Sequence, residues 1–445
     1  MSIWDTLFNR SPPPDPAAAP NYRFGRYTDA YKTPENYRAW NKSLTAFEEG
    51  EWLRSWEAFL EYLYDGEEDN LRWRQQEKTI YFELYQGSKR VTGMADGDQL
   101  RATARVARLL KPQRELLQRL TELNYSLKYS RYALDEEGHL TVIFDTPATD
   151  ASPHKLYHAL KEVAVQADKQ DDLLLEEFAN RLEPVEITHL HELSPEHKVV
   201  KRDFLTSHID RLMDYLSSGE LNPEQHPGAV AYLLLDLVYR LDYLLIPEGY
   251  TMEALERMHR MYFARETDQP VTYKNVRLLT ELQELRRRAG ESFAAELYGG
   301  KSTFGITLPA NHDRLISLID NELPNMDWYQ DNGYGQVAQA IPGYIVGYAL
   351  FNYAVPPPDR ALLHLYYRVV ENEYFGRLGY ATGLLDNDGR PSRRLIRAEI
   401  SALVKKYSAT YPHFRPATGG LRYDNLVDFG RSYMEMVREL DLGMV

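Results

Sequence analysis

The sequence predicts an α+β domain followed by an all-α domain: a five-stranded antiparallel sheet with helices in the order α-βββ-α-ββ-α, then helices alone. Apolar residues alternate with period two across 78–110 and again across 128–147. Strand-like alternation is rare after Pro184, where capped segments of helical periodicity follow one another. A Pro-rich stretch, "SPPPDPAAAP", separates the first ten residues from everything else. The expected organisation is an amphipathic peptide and linker over 1–20, an α+β domain over 21–183 and a helical domain over 184–445.

Within residues 1–10, Ile3, Trp4, Leu7 and Phe8 would share one helical face. Behind a semi-rigid linker they form a small apolar hook, suited to docking on the same chain or a sister subunit and too small for membrane anchoring alone. Residues 33–65 read as two helices divided by Gly50, with Thr33 as N-cap and Pro34 at the first helical position. "TIYFELY", "KRVTGMA" and "LRATARVARL" follow as a meander with one solvated face. Pro112 opens a helix carrying Leu116, Leu117, Leu120 and Leu123. In "YSRYALDEEGHLTVIFDTP" the turn falls at 135–138, and Leu140, Val142 and Phe144 alternate on one face. Placing Ala133 opposite Leu140 would turn Arg131 to the buried side, which calls for a bulge or a rim position. Ser152 caps and Pro153 starts the closing helix, which runs to about Phe178.

This order, with its hairpin and final helix, resembles the type III secretion chaperone-like fold and the YbjN-like family over roughly residues 33–182. The resemblance implies a sheet-and-helix surface that holds an extended or helical segment of another protein, often within a dimer. The large helical half departs from that pattern and is equally compatible with a regulatory or scaffold role.

Helices are expected at 194–217 and near 228–246, 251–265, 272–297, 312–322, 335–353, 359–376, 391–408 and 424–440. In the second of these, Asp236 and Arg240 have the spacing of an i,i+4 ion pair on a water-facing stripe. Residues 337–355 carry no charge and contain Gly343-x-x-x-Gly347, but Pro342, Asn352 and three tyrosines point to a buried helix of a soluble bundle.

The net charge of −14 argues against general nucleic-acid binding, and the absence of cysteine excludes thiol catalysis and Cys-ligated metals. A cysteine-free acidic chain is expected to be cytoplasmic, without stable membrane insertion, and no cofactor or metal is expected. "HLHELSPEH" supplies His189, His191, Glu192 and His197, which lack the spacing of a zinc helix. "DNDGR" at 386–390 reads as a turn. Asp168, Asp171 and Asp172 read as a solvated acidic helix face. His364, Arg368 and Glu371, with the Tyr-rich 328–353 segment, are the residues an enzymatic alternative would use. Tyr81, Tyr85, Arg101 and Arg105, with Lys89 and Arg90, are placed on the open face or rim of the sheet. They are the partner-binding candidates, alongside the hook, in a protein expected to bind another polypeptide rather than to catalyse a reaction.

Overall fold

A computed structural model describes residues 22–185, 190–264 and 269–443. The hook residues Ile3, Trp4, Leu7 and Phe8 lie outside them, as does His189.

Two helices open the described chain, α1 (Pro34–Glu48) and α2 (Trp52–Leu63). Thr33 caps α1 as expected: its hydroxyl accepts from the Asn36 N–H while the Asn36 side chain accepts from the Thr33 N–H. The strands are β1 (Leu71–Gln76), β2 (Thr79–Gln86), β3 (Lys89–Ala95) and β4 (Gln99–Leu109). Helix α3 (Arg114–Ser126) leads to the hairpin β5 (Arg131–Leu134) and β6 (His139–Pro147), then to α4 (Pro153–Glu177) and the short β7 (Leu182–Pro184).

These strands form one antiparallel sheet of seven, in the order β1-β2-β3-β4-β6-β5, with β7 pairing the end of β4. The expectation of five strands missed β1 and β7. In "LRWRQQ" only Leu71 and Trp73 are apolar, because β1 is an edge strand: Leu71 alone is fully buried, Arg72, Trp73 and Arg74 are half-buried, and Gln75 and Gln76 face water. β7 is three residues long, too short to show a period.

The hairpin register differs from expectation by one residue. Leu134, not Ala133, stands opposite Leu140, so Arg131 pairs with Ile143 on the open face and Tyr132 faces Val142 inside. The bulge lies elsewhere, on β4 between Arg105 and Ala107. It adds one residue and lets both Val106 and Ala107 turn inward, each fully buried.

Beyond β7 the elements are β8 (His191–Glu192), α5 (Pro195–Ser217), α6 (Pro227–Leu245), α7 (Gly249–Phe263), α8 (Val271–Arg288) and α9 (Glu291–Ala295). Then come β9 (Tyr298–Gly299), β10 (Leu308–Pro309), α10 (His312–Glu322), α11 (Asn325–Asp331), α12 (Gly335–Asn352) and β11 (Tyr353–Ala354). Helices α13 (Pro357–Val370), α14 (Asn372–Arg377), α15 (Arg393–Tyr407) and α16 (Leu426–Arg438) complete the chain. No helix of the described residues is long and apolar enough to cross a membrane.

In α12 the two glycines work as close-approach positions against α6. A Cβ on Gly343 would lie 2.2 Å from Asp236 Oδ1, and one on Gly347 would lie 2.5 Å from Tyr239 Cβ. The Asp236–Arg240 pair exists, but α12 covers it instead of water. Arg240 also donates to Glu371 at 2.6 Å, and His208 Nε2 lies 3.3 Å from the same carboxylate. Burial opposes charge on Glu371, yet His208 and Arg240 outweigh it and hold the carboxyl down at about 2.

Two hydrophobic cores result. One lies between the sheet and the helices α2 and α4; the other fills the helical half. Each borrows an aromatic side chain from across the expected boundary at residue 183. Phe24 packs among Tyr243, His364 and Phe375 of the helical core. Phe304, 1% exposed, packs in the sheet core, with its ring centroid 5.6 Å from that of Tyr157.

Backbone hydrogen bonds fix both crossings. Gly25 N–H donates to the Tyr243 carbonyl at 2.9 Å, and Gly87 N–H to the Lys301 carbonyl at 2.8 Å. Gln86 Oε1 accepts from the Phe304 N–H at 3.0 Å, and the Thr303 hydroxyl donates to the Tyr85 carbonyl at 2.8 Å. The N-terminal segment and the 301–305 loop thus clasp the two halves together.

Candidate functional site

Helices α2 and α4 cover the sheet from one side, where Ile80, Phe82, Val91, Ala102, Ala104, Val142 and Phe144 are buried. The strand period sends the intervening residues to the other side. Register places Arg74, Tyr81, Met94, Arg101 and Asp145 in one row across five strands. The next row contains Arg72, Glu83, Thr92, Thr103, Ile143 and Arg131. Tyr85, Arg90 and Arg105 continue the same face beyond them.

Of the sequence candidates, Tyr81, Tyr85, Arg101 and Arg105 share one face by register, but Tyr85 is buried there, 5% exposed, Tyr81 is half-buried, and Arg101 and Arg105 are exposed. Lys89 does not share that face. It points through the sheet to the covered side, is 3% exposed, and pairs with Asp171 at 2.6 Å. Arg90 lies on the face, and Arg72, Arg74 and Arg131 join it. Arg72 and Arg74 were invisible as candidates because β1 was invisible as a strand. Six arginines and two tyrosines thus pave one side of a sheet in a chain whose net charge is −14.

The electrostatics of the face are mixed. Arg72 pairs with Asp69 at 3.0 Å and Arg131 with Asp145 at 2.6 Å. Arg105 reaches Asp135 at 2.9 Å and Glu137 at 3.0 Å. Arg90 lies 3.8 Å from Glu83, whose other oxygen accepts from the Tyr85 hydroxyl at 2.5 Å. Arg74 holds its guanidinium 5.6 Å from the centre of the Tyr81 ring. Arg101 is exposed and has no ion-pair or hydrogen-bond partner among the described residues. Glu83 and Tyr85 are buried, Arg74, Tyr81 and Met94 are half-buried, and Arg101 and Arg105 are the exposed cations of the central strands, with Arg101 the one that no carboxylate among the described residues holds.

The other sequence candidates are dispersed. His364 is buried against Tyr243, whose hydroxyl lies 3.0 Å from its Nδ1, and burial holds its pKa down at about 3. Arg368 is occupied by Glu399 at 2.8 Å, and Glu371 by Arg240 and His208. These three side chains therefore serve separate contacts. Trp328 and Tyr334 of the Tyr-rich segment stack near His226. His197 lies in the first turn of α5, between the Ser194 and Tyr22 hydroxyls. Glu192 lies in a two-residue strand paired with β9. No group of three His, Cys, Asp or Glu among the described residues is placed to hold a metal ion. Residues 386–390 form the expected turn, closed by the Asp386 N–H to the Arg390 carbonyl at 2.9 Å.

The Asp168, Asp171 and Asp172 trio corrects a second expectation. It does not face water. Asp168 Oδ1 accepts from the Ser88 N–H at 2.8 Å, and Asp171 Oδ2 accepts from the Ser88 hydroxyl at 2.5 Å. Asp171 is 1% exposed. Tyr298 of the helical half reaches Asp172 at 3.4 Å. Burial first, then the neighbouring Asp171 charge, pushes the Asp168 carboxyl up to about 8 and that of Asp172 up to about 7.

No protein-family model matches the chain, and no curated protein sequence is significantly similar to it.

Proposed function

We propose that this chain is a non-enzymatic protein-interaction module of chaperone-like, regulatory or scaffold type. It holds an extended, acidic segment of another polypeptide on the open face of its sheet. The observation that carries this reading is Arg101, exposed and without an ion-pair or hydrogen-bond partner among the described residues, at one end of the row Arg74–Tyr81–Met94–Arg101 in an otherwise acidic molecule. Arginine and tyrosine are the side chains that most often anchor protein interfaces, because each combines a large rigid surface with directional hydrogen bonding. The two ends of the row stand three strand spacings apart, about 14 Å at roughly 4.8 Å each. Carboxylates four residues apart on an extended chain, which rises about 3.4 Å per residue, match that span.

Nucleic acid fits less well. Asp69, Glu83, Asp135, Glu137 and Asp145 neutralise most of the arginines on and around the face. A phosphate backbone needs uncompensated cations in series. The element order that resembles the type III secretion chaperone-like and YbjN-like domains supports a polypeptide ligand. The seven-strand sheet and the clasped helical half are departures that favour a regulatory or scaffold role over dedicated secretion.

Fluorescence anisotropy with labelled peptides tests the reading. A peptide with glutamates four apart around a central aromatic residue should bind at least tenfold more tightly than its glutamine counterpart. The Arg74→Ala/Arg101→Ala double variant should lose that preference. Tighter binding of a single-stranded RNA oligonucleotide, with a steep salt dependence, would overturn the proposal.

A further inference from the structure

A cavity of about 270 Å³ lies where the two halves meet, bounded by the N-terminal segment, the β2–β3 turn, α4, the start of α7 and the 302–306 loop. It is distinct from the sheet face, on the opposite side of the sheet. Its charge balance is unequal. Three cations line it, and each is already held by carboxylates of the chain. Arg23 pairs with Glu68 at 2.9 Å. Arg26 pairs with Asp242 at 2.8 Å and Glu256 at 3.1 Å. Lys169 pairs with Glu253 and Glu256, both at 2.9 Å.

Two lining carboxylates have no such partner. Asp168 receives only the Ser88 N–H, and the Glu248 carboxylate makes no hydrogen bond or ion pair among the described residues. Nearest to them, Lys89 is committed to Asp171 and to the Val106 carbonyl. A buried carboxyl without a counter-charge keeps its proton, and at a cavity it can exchange that proton for an incoming cation.

The rest of the wall says which kind. Val165, Met252, Phe304 and Ile306 give the cavity an apolar flank beside its acidic end. A bare metal ion would leave that flank unused, and the carboxylates are not grouped for metal coordination. The volume falls just under the usual range of drug-sized sites, about 300–1,000 Å³.

We infer that this cavity binds an alkylammonium group, its charged head between Asp168 and Glu248 and its methylene chain against Val165, Met252 and Phe304. A free short diamine or polyamine and the lysine side chain of a bound polypeptide share that chemistry.

Isothermal titration calorimetry of the full chain at pH 8 separates the sources, with 1,4-diaminobutane, spermidine and an acetylated, amidated lysine tripeptide as the three probes. The expected result is saturable 1:1 binding of at least one, accompanied by proton release read from the buffer dependence of the heat. Asp168→Asn/Glu248→Gln should weaken it at least tenfold. Glu137→Gln, on the sheet rim, should leave it unchanged. Both substitutions in the double variant remove buried charge, so a normal thermal transition will show that lost binding is not lost folding. Binding of the diamine or spermidine alone assigns a free ligand, and binding of the tripeptide alone assigns a polypeptide lysine. No saturable binding of any probe, binding unaffected by the double variant, or stoichiometric binding of magnesium in preference to all three would overturn the inference. None of these outcomes depends on the sheet face.

Discussion

At the scale of single residues, Asp171 and Lys89 make the sharpest case. The pair is dry, so removing one partner strands the other. Lys89→Met should cost about 3 kcal/mol in urea unfolding. Asp168 gives a pH dependence whose sign is fixed by its surroundings. Burial acts first, and Asp171, Asp172 and Glu248 face it as like charges; Lys89 opposes them, while Arg23, Arg26 and Lys169 of the adjoining cavity are held by other carboxylates. Its folded pKa of about 8 lies above the ordinary carboxyl value, so the folded chain holds a proton that the unfolded chain has released. Between about pH 4 and pH 8 this residue therefore lowers stability as pH rises. Asp168→Asn should raise the thermal midpoint at pH 8 and raise it much less at pH 5, as scanning calorimetry at the two pH values can show. None of this was visible in "ADKQDDLL" alone. Three aspartates at i, i+3 and i+4 mark a helix stripe equally well whether the stripe meets water or a second set of elements. The lysine that decides it stands on another strand.

At the scale of elements, legibility followed periodicity. Strands β2, β3, β4 and β6 were readable from their apolar period, and their second face from Tyr81, Tyr85, Arg101 and Arg105, but not that Glu83, Tyr85 and Thr141 are buried on it. β1 was not, because this edge strand fully buries only Leu71. The hairpin register turned on one residue: Asp135 closes the turn by accepting from the Glu137 and His139 N–H groups, which sets Leu134 against Leu140. The glycines of α12 were readable as close-approach positions, though their partner was not. Gly347→Ala should cost about 1–3 kcal/mol, since its Cβ meets the Tyr239 backbone-proximal carbon and the Tyr367 hydroxyl. Circular dichroism melts will measure the loss. On the sheet, Arg101→Glu should leave the melt unchanged, because that side chain is exposed and unpartnered, while abolishing the preference for the acidic peptide.

At the scale of the whole molecule, the sequence supports two halves and the structure joins them. Composition shifts near Pro184 gave a boundary, but no local pattern marks Phe24 as belonging to the far core or Phe304 to the near one. Such exchanges are set by tertiary fit. Phe304→Ala should destabilise the chain by about 3–5 kcal/mol. Although the residue lies in the helical half of the sequence, hydrogen exchange should show the lost protection in β2 and α4. Both halves should unfold in a single calorimetric transition in the wild-type chain, as expected of cores that each need a side chain from the other.

The Phe304 crossing also sets a clock. Synthesis runs from the N-terminus, so the sheet, its hairpin and α4 have all left the ribosome before the side chain that completes their core exists. At about 5–20 residues per second, the 120 residues between Pro184 and Phe304 take roughly 6–24 s to add. For that interval the nascent sheet lacks the ring that packs beside Tyr157 and the Thr303 and Phe304 N–H groups that Gln86 accepts from. The first half of this protein is therefore born unfinished, and its native state is reached only when the second half arrives to close it.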